Sequence, residues 1–120
     1  MANIYTDKGE ELTADFFDGA AAAPTNWFIG WGTGAGTAAK GDTTLFVEAA
    51  EARATATESQ PSADQNQLVG TITSASTQSI TNAGVFTLSA AGDMPLKGDF
   101  TAIPLVNGDK IEFTFTLTWS

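Results

Sequence analysis

The sequence predicts an all-β fold: an antiparallel β-sandwich, jelly-roll-like, with a short amphipathic helix at its N-terminal end. Three observations carry this. In "KIEFTFTLTW", Ile111, Phe113, Phe115, Leu117 and Trp119 alternate with Glu112, Thr114, Thr116 and Thr118, as a strand with one buried and one wet face requires. About six to eight strand-like stretches are separated by Gly, Asn and Asp turn signals, as in antiparallel sandwiches and unlike βαβ units. One stretch near the start, "TDKGEELTADFFDG", has helical spacing. The pattern places strands but does not order them.

Taken in order, the helix puts Leu12, Phe16 and Phe17 on one side, with Thr6 or Asp7 as its cap and Gly19 as its stop. A helix this short is marginal in water, so its phenylalanines must dock. "AAAAPT" at 20–25 is a linker, closed by Pro24. Residues 1–23 therefore form an N-terminal arm and linker, and 24–120 a single β domain. "NWFIGWG" is the first strand of that domain, with Trp27, Ile29 and Trp31 sharing a face. A glycine-rich loop, 32–43, follows, and "TTLFVEAAEA" reads as a helical turn or a short irregular segment. "ARATATES" is an edge strand and "SQPSADQNQ" a surface loop. "LVGTITSAS" and "SITNAGVFTLSA" are strands, the second broken or bulged at Gly84. "AGDMPLKGD" reads as a turn-laden connection. In "FTAIPLV", Pro104 marks an edge or a bulge, and "NGD" is the clearest tight turn.

Composition narrows function. The 120 residues hold 14 acidic and 5 basic side chains, a formal net charge of −9. Such a surface repels phosphate backbones and anionic membranes, so neither nucleic acid nor membrane is an expected partner. No apolar run is long enough to span a bilayer, and "MANIYTDKGEE" lacks the features of a secretory signal, so the expectation is a soluble chain. Cysteine and histidine are absent, which removes thiolate chemistry, sulfur ligands, the commonest general base and the commonest metal ligand.

The stretch "GWGTGAGTAAKGDTTL" invites a nucleotide reading. A Walker A loop needs Ser or Thr after Gly-Lys, whereas Lys40 stands between Ala39 and Gly41. Gly34, Gly36 and Ala39 match a dinucleotide pattern, but no helix and second parallel strand follow. A flexible loop closed by Gly41-Asp42 is the better reading. Glu48, Glu51 and Glu58 lack the apolar neighbours that would raise a pKa, and read as a solvated acidic face. Asp93, Asp99 and Asp109 sit in turns, where aspartate bonds local backbone, and no EF-hand spacing supports calcium. Trp27, Phe28 and Trp31 suit a core or a sugar-stacking platform, with core preferred for a small domain. The expectation is a non-enzyme without cofactor or metal.

In order, "DKGEELTADFF", "PTNWFIGWGTG", "GDTTLFVE", "ITNAGVFT" and "NGDKIEFTFTLTW" resemble the layout of a group of small structural proteins of tailed bacteriophages. The resemblance spans nearly the whole chain through short, degenerate motifs. "AEARATATESQPSADQNQ" departs from it, lacking the bulkier apolar residues of the matching strand. The resemblance implies a virion component: a decoration (cement) protein on the outer capsid, or a tail- or fibre-associated module recognising a receptor or carbohydrate. In the capsid version the partner is the major capsid protein, and a homotrimer at a threefold position is the natural assembly. The implied contact residues are Phe16 and Phe17 on the helix, and Trp31 to Lys40 in a loop that orders on binding.

Overall fold

The period-two segment at the end of the sequence is a strand, Lys110–Thr118, and it pairs along its length with an antiparallel partner, Gln65–Thr73. The computed structural model describes residues 2–119. In chain order its elements are β1 (Ala2–Tyr5), α1 (Asp7–Asp18), β2 (Phe28–Gly32), β3 (Ala54–Thr55), β4 (Thr57–Ser59), β5 (Gln65–Thr73), β6 (Gln78–Phe86), β7 (Leu96–Leu105) and β8 (Lys110–Thr118). They form two antiparallel sheets, one ordered β1-β7-β6-β2-β3 and one ordered β4-β5-β8. The all-β class with one short helix holds.

One apolar core joins the sheets. Ile29 and Trp31 of β2, Ile80 and Val85 of β6 and Leu96 of β7 pack with Ile72 of β5 and Phe113 and Phe115 of β8. Trp31 meets Phe113 edge-on, ring centroids 6.2 Å apart. The alternation in β8 is therefore real: Phe113 and Phe115 are buried while Glu112, Thr114 and Thr116 face water. Burying each such phenylalanine stabilises the fold by about 1.5–3 kcal/mol.

Several sequence expectations change. "ARATATES" is not one edge strand; the chain steps between sheets at Ala56, so β3 edges one sheet and β4 the other. The amide of Ala56 donates to the carbonyl of Trp27 at the step. The ladder runs unbroken through Gly84, and the irregularity lies at Thr81, where β7 bulges between Asp99 and Ile103. "LKGD" belongs to β7, not to a connection. Residues 2–5 form a strand that the sequence reading placed in the arm, so the arm is stitched into the sheet by pairing with Leu96–Asp99. That pairing stops before Pro104, which lies where β7 has only β6 beside it. Residues 42–53 form an irregular segment with no helical turn. The "NGD" turn stands, with Gly108 at φ 97° and Asp109 Oδ2 accepting from the Val106 amide at 2.9 Å.

Candidate partner-binding surface

The implied contact elements, α1 and the glycine-rich loop, lie side by side. Thr6 sets the position of the helix. It is fully buried, caps α1 by accepting from the Gly9 amide at 3.1 Å, and donates through Oγ1 to the Met94 carbonyl at 2.7 Å. Asp7 and Glu10 in the first turn complement the helix dipole, and Gly19 ends the helix at φ 80°. Gly9 allows the close approach, since a Cβ there would stand 2.6 Å from the Pro95 carbonyl oxygen.

The loop after β2 is held at both ends and in the middle. Gly34 donates to the Phe46 carbonyl at 2.8 Å, and Ala38 to Asp99 Oδ2 at 3.2 Å. The Asp7 amide donates to the Lys40 carbonyl at 2.8 Å, and the Lys40 ammonium pairs with Glu10. Two of its glycines answer to packing: a Cβ on Gly34 or Gly36 would fall 2.8 Å from the Phe46 backbone or 2.7 Å from the Phe46 ring, whereas Gly41 faces open space. Packing against Phe46 thus accounts for the Gly34 and Gly36 part of the phosphate-loop appearance.

Beneath the loop lies a network that sequence reading missed. Lys97 is fully buried; its Nζ donates to Asp42 Oδ2 and to the Thr44 carbonyl, both at 2.9 Å, and stands 3.3 Å from the centre of the Phe46 ring. Burial acts to raise the Asp42 carboxyl, but hydrogen bonds from Lys97 and the Ala39 amide, with the Lys97 charge, outweigh it and hold it below the ordinary range. Asn82, also fully buried, clamps Phe46 by accepting from its amide at 3.0 Å and donating to its carbonyl at 3.1 Å. Both residues lie in segments singled out for other reasons; what hid them was the distant partner.

The glutamates are not one solvated face. Glu51 accepts from Trp31 Nε1, the Ala75 amide and Gln78; burial pushes its carboxyl up, and these bonds together bring it below the usual value. Glu48 pairs two-pronged with Arg53, whose guanidinium lies 3.4 Å over the Phe86 ring. Glu58 is exposed. Of the turn aspartates, Asp109 bonds local backbone, whereas Asp99 reaches the distant Ala38 amide. Among the described residues, no group of three carboxylates converges to hold a metal ion.

The four implied contact residues separate. Phe17 is 95% exposed, while Phe16 is half-buried. Lys40 is exposed and paired to α1. Trp31 is 1% exposed, so its side chain offers no surface to a partner: it fills the core between the sheets. Leu12 and Phe16 instead close one side of an apolar cavity of about 270 Å³, whose other walls include Tyr5, Trp27, Phe115 and Trp119. Tyr5 and Trp119 meet edge-on across 5.9 Å, and Trp119 Nε1 donates to Asn66 at 2.8 Å.

No family model matches the chain, and no curated protein is significantly similar to it.

Proposed function

We propose that this chain is a non-enzymatic virion structural protein, a decoration protein that binds the outer capsid of a tailed phage and stabilises the shell. Its fold in this reading is a β-sandwich, the two sheets facing each other across the shared core. The observation that carries the reading is Phe17, 95% exposed on a helix that is otherwise anchored through a fully buried cap. A fixed helix presenting one bare aromatic is the form of an interface anchor, and repetition over a symmetric shell multiplies a weak contact into firm attachment. The phage-like segments also interlock: Asn82 of "ITNAGVFT" grips Phe46 of "GDTTLFVE", and a glycine of "GWGTG" lies against the same residue. They make one framework within this chain.

The test is cosedimentation of the purified chain with expanded capsids that lack it. Saturable binding that falls at least about tenfold in Phe17→Ser, with unchanged thermal unfolding, supports the reading. Binding undiminished by that substitution, or confined to a tail fraction, sinks it. Deleting the arm is a poorer test, because β1 and Thr6 belong to the folded body.

A second reading, a tail-associated receptor- or carbohydrate-binding module, is favoured by the cavity. Trp27 and Trp119 line it beside Glu58, Asn66 and Gln67, an aromatic wall with a polar rim. A glycan that shifts tryptophan emission, while shells do not bind, would move the assignment there.

A further inference from the structure

Sheets expose edges, and an edge is a row of unpaired backbone groups unless it is blunted by shortness, charge, proline or a bulge. Three of the four terminal strands here are short: β1 has four residues, β3 two and β4 three. The stretch of β7 beyond β1 carries Pro104. The fourth terminal strand, β8, has nine residues without proline or bulge, and its charges, Lys110 and Glu112, lie at one end.

The direction of its free groups follows from the ladder. The Asp109 carbonyl accepts from Ser74 at 2.7 Å and the Trp119 amide donates to Asp64 at 2.8 Å, so odd-numbered residues between them face β5. Lys110, Glu112, Thr114, Thr116 and Thr118 therefore turn their amides and carbonyls away from it. Among the described residues, Lys110–Thr118 make no backbone hydrogen bond outside the β5 ladder. Beside this edge lies an apolar cleft of about 280 Å³, lined by Phe100 and Ile103 of β7 and Ile111 and Phe113 of β8.

We propose that β8 is a self-association edge, pairing antiparallel with β8 of a second copy about a two-fold axis at Thr114. This is the register in which all nine residues overlap. It sets Lys110 opposite Thr118, Glu112 opposite Thr116 and Thr114 opposite itself, so no like charges meet. On the inner face it sets Ile111 opposite Leu117 and Phe113 opposite Phe115, apolar against apolar throughout. Moving the axis to Glu112 would oppose two glutamates. In a chain of net charge −9, β8 is locally neutral, which makes it a favourable place for two copies to meet. The union extends the three-stranded sheet across both copies and covers the cleft. Identical edges close with two-fold symmetry, so a threefold cluster would have to use another surface.

The test is sedimentation velocity of the free chain over the micromolar range, with no capsid present, so its failure is separate from that of the capsid reading. The wild type is expected to dimerise. Thr114→Pro removes an amide that the monomer leaves unpaired, so each copy keeps its fold while the dimer loses two central bonds, weakening association roughly thirtyfold. Thr114→Lys opposes two cations at the axis and weakens it, whereas Thr116→Lys faces Glu112 of the other copy and does not. A wild type that stays monomeric or forms trimers overturns the proposal. So does a dimer untouched by Thr114→Pro, or one weakened equally by both lysine substitutions; unchanged circular dichroism and melting verify that the variants fold.

Discussion

Removing either member of the Lys97–Asp42 pair should destabilise the chain, and the cost should depend on which charge is left behind. The Lys97 side chain is wholly enclosed while that of Asp42 is 23% exposed. Asp42→Ala strands an ammonium whose remaining partners are the Thr44 carbonyl and the Phe46 ring. A stranded buried charge costs about 3–5 kcal/mol. Lys97→Met strands a carboxylate that water reaches and the Ala39 amide still binds, so its cost falls to about 2 kcal/mol. The double substitution should cost less than the sum by about 1–3 kcal/mol, because the second change removes the stranded charge. Urea unfolding followed by tryptophan fluorescence measures all three. The sign with pH follows: a depressed carboxyl adds stability above its unfolded pKa and loses it as pH falls through the folded one. The gap between wild type and Lys97→Met should therefore narrow below about pH 4. A Lys97→Met variant less stable than Asp42→Ala at neutral pH, or strict additivity, would refute the reasoning.

Two further outcomes are expected. Thr6→Ala removes both the helix cap and a buried bond to the Met94 carbonyl, costing about 1–3 kcal/mol, and should redden the emission of tryptophans lining the cavity under α1; calorimetry and fluorescence check this. Val47→Gly should stabilise by about 1 kcal/mol, because Val47 is 68% exposed and holds φ 52°, a conformation that branched side chains resist; a lower melting temperature would contradict it.

What the sequence revealed was what neighbouring residues decide. The alternation of β8, the "NGD" turn and the span and cap of α1 depend on spacing and local hydrogen bonding, and all were readable. Phe16 and Phe17 differ by about 100° around a helix, and only the position of the cavity determines which one turns inward. Lys97 in "PLKGDF" looks like a solvated lysine because its partner lies 55 residues earlier. Glu51 looked solvated for the same reason, its indole partner standing 20 residues before it. The strand β1 was missed because four residues hold too little alternation to register. Of the candidate surface, the adjacency of helix and loop could not be read, since it depends on contacts between residues some 30 positions apart, the Asp7–Lys40 backbone bond and the Lys40–Glu10 ion pair.

The pairing of β8 with β5, and of β1 with β7, also constrains how the chain acquires its shape. Both ladders join segments far apart in sequence, Gln65 with Thr118 and Ala2 with Asp99. Long loops must close before those contacts repay their entropy, so refolding should be slow for a domain of this size. During synthesis, Phe113 and Phe115, which fill the core opposite Trp31, leave the ribosome after β2 and β6 have done so. Until Phe113 and Phe115 arrive, the inner faces of β2 and β6 stay partly uncovered, and over that interval the nascent chain is aggregation-prone.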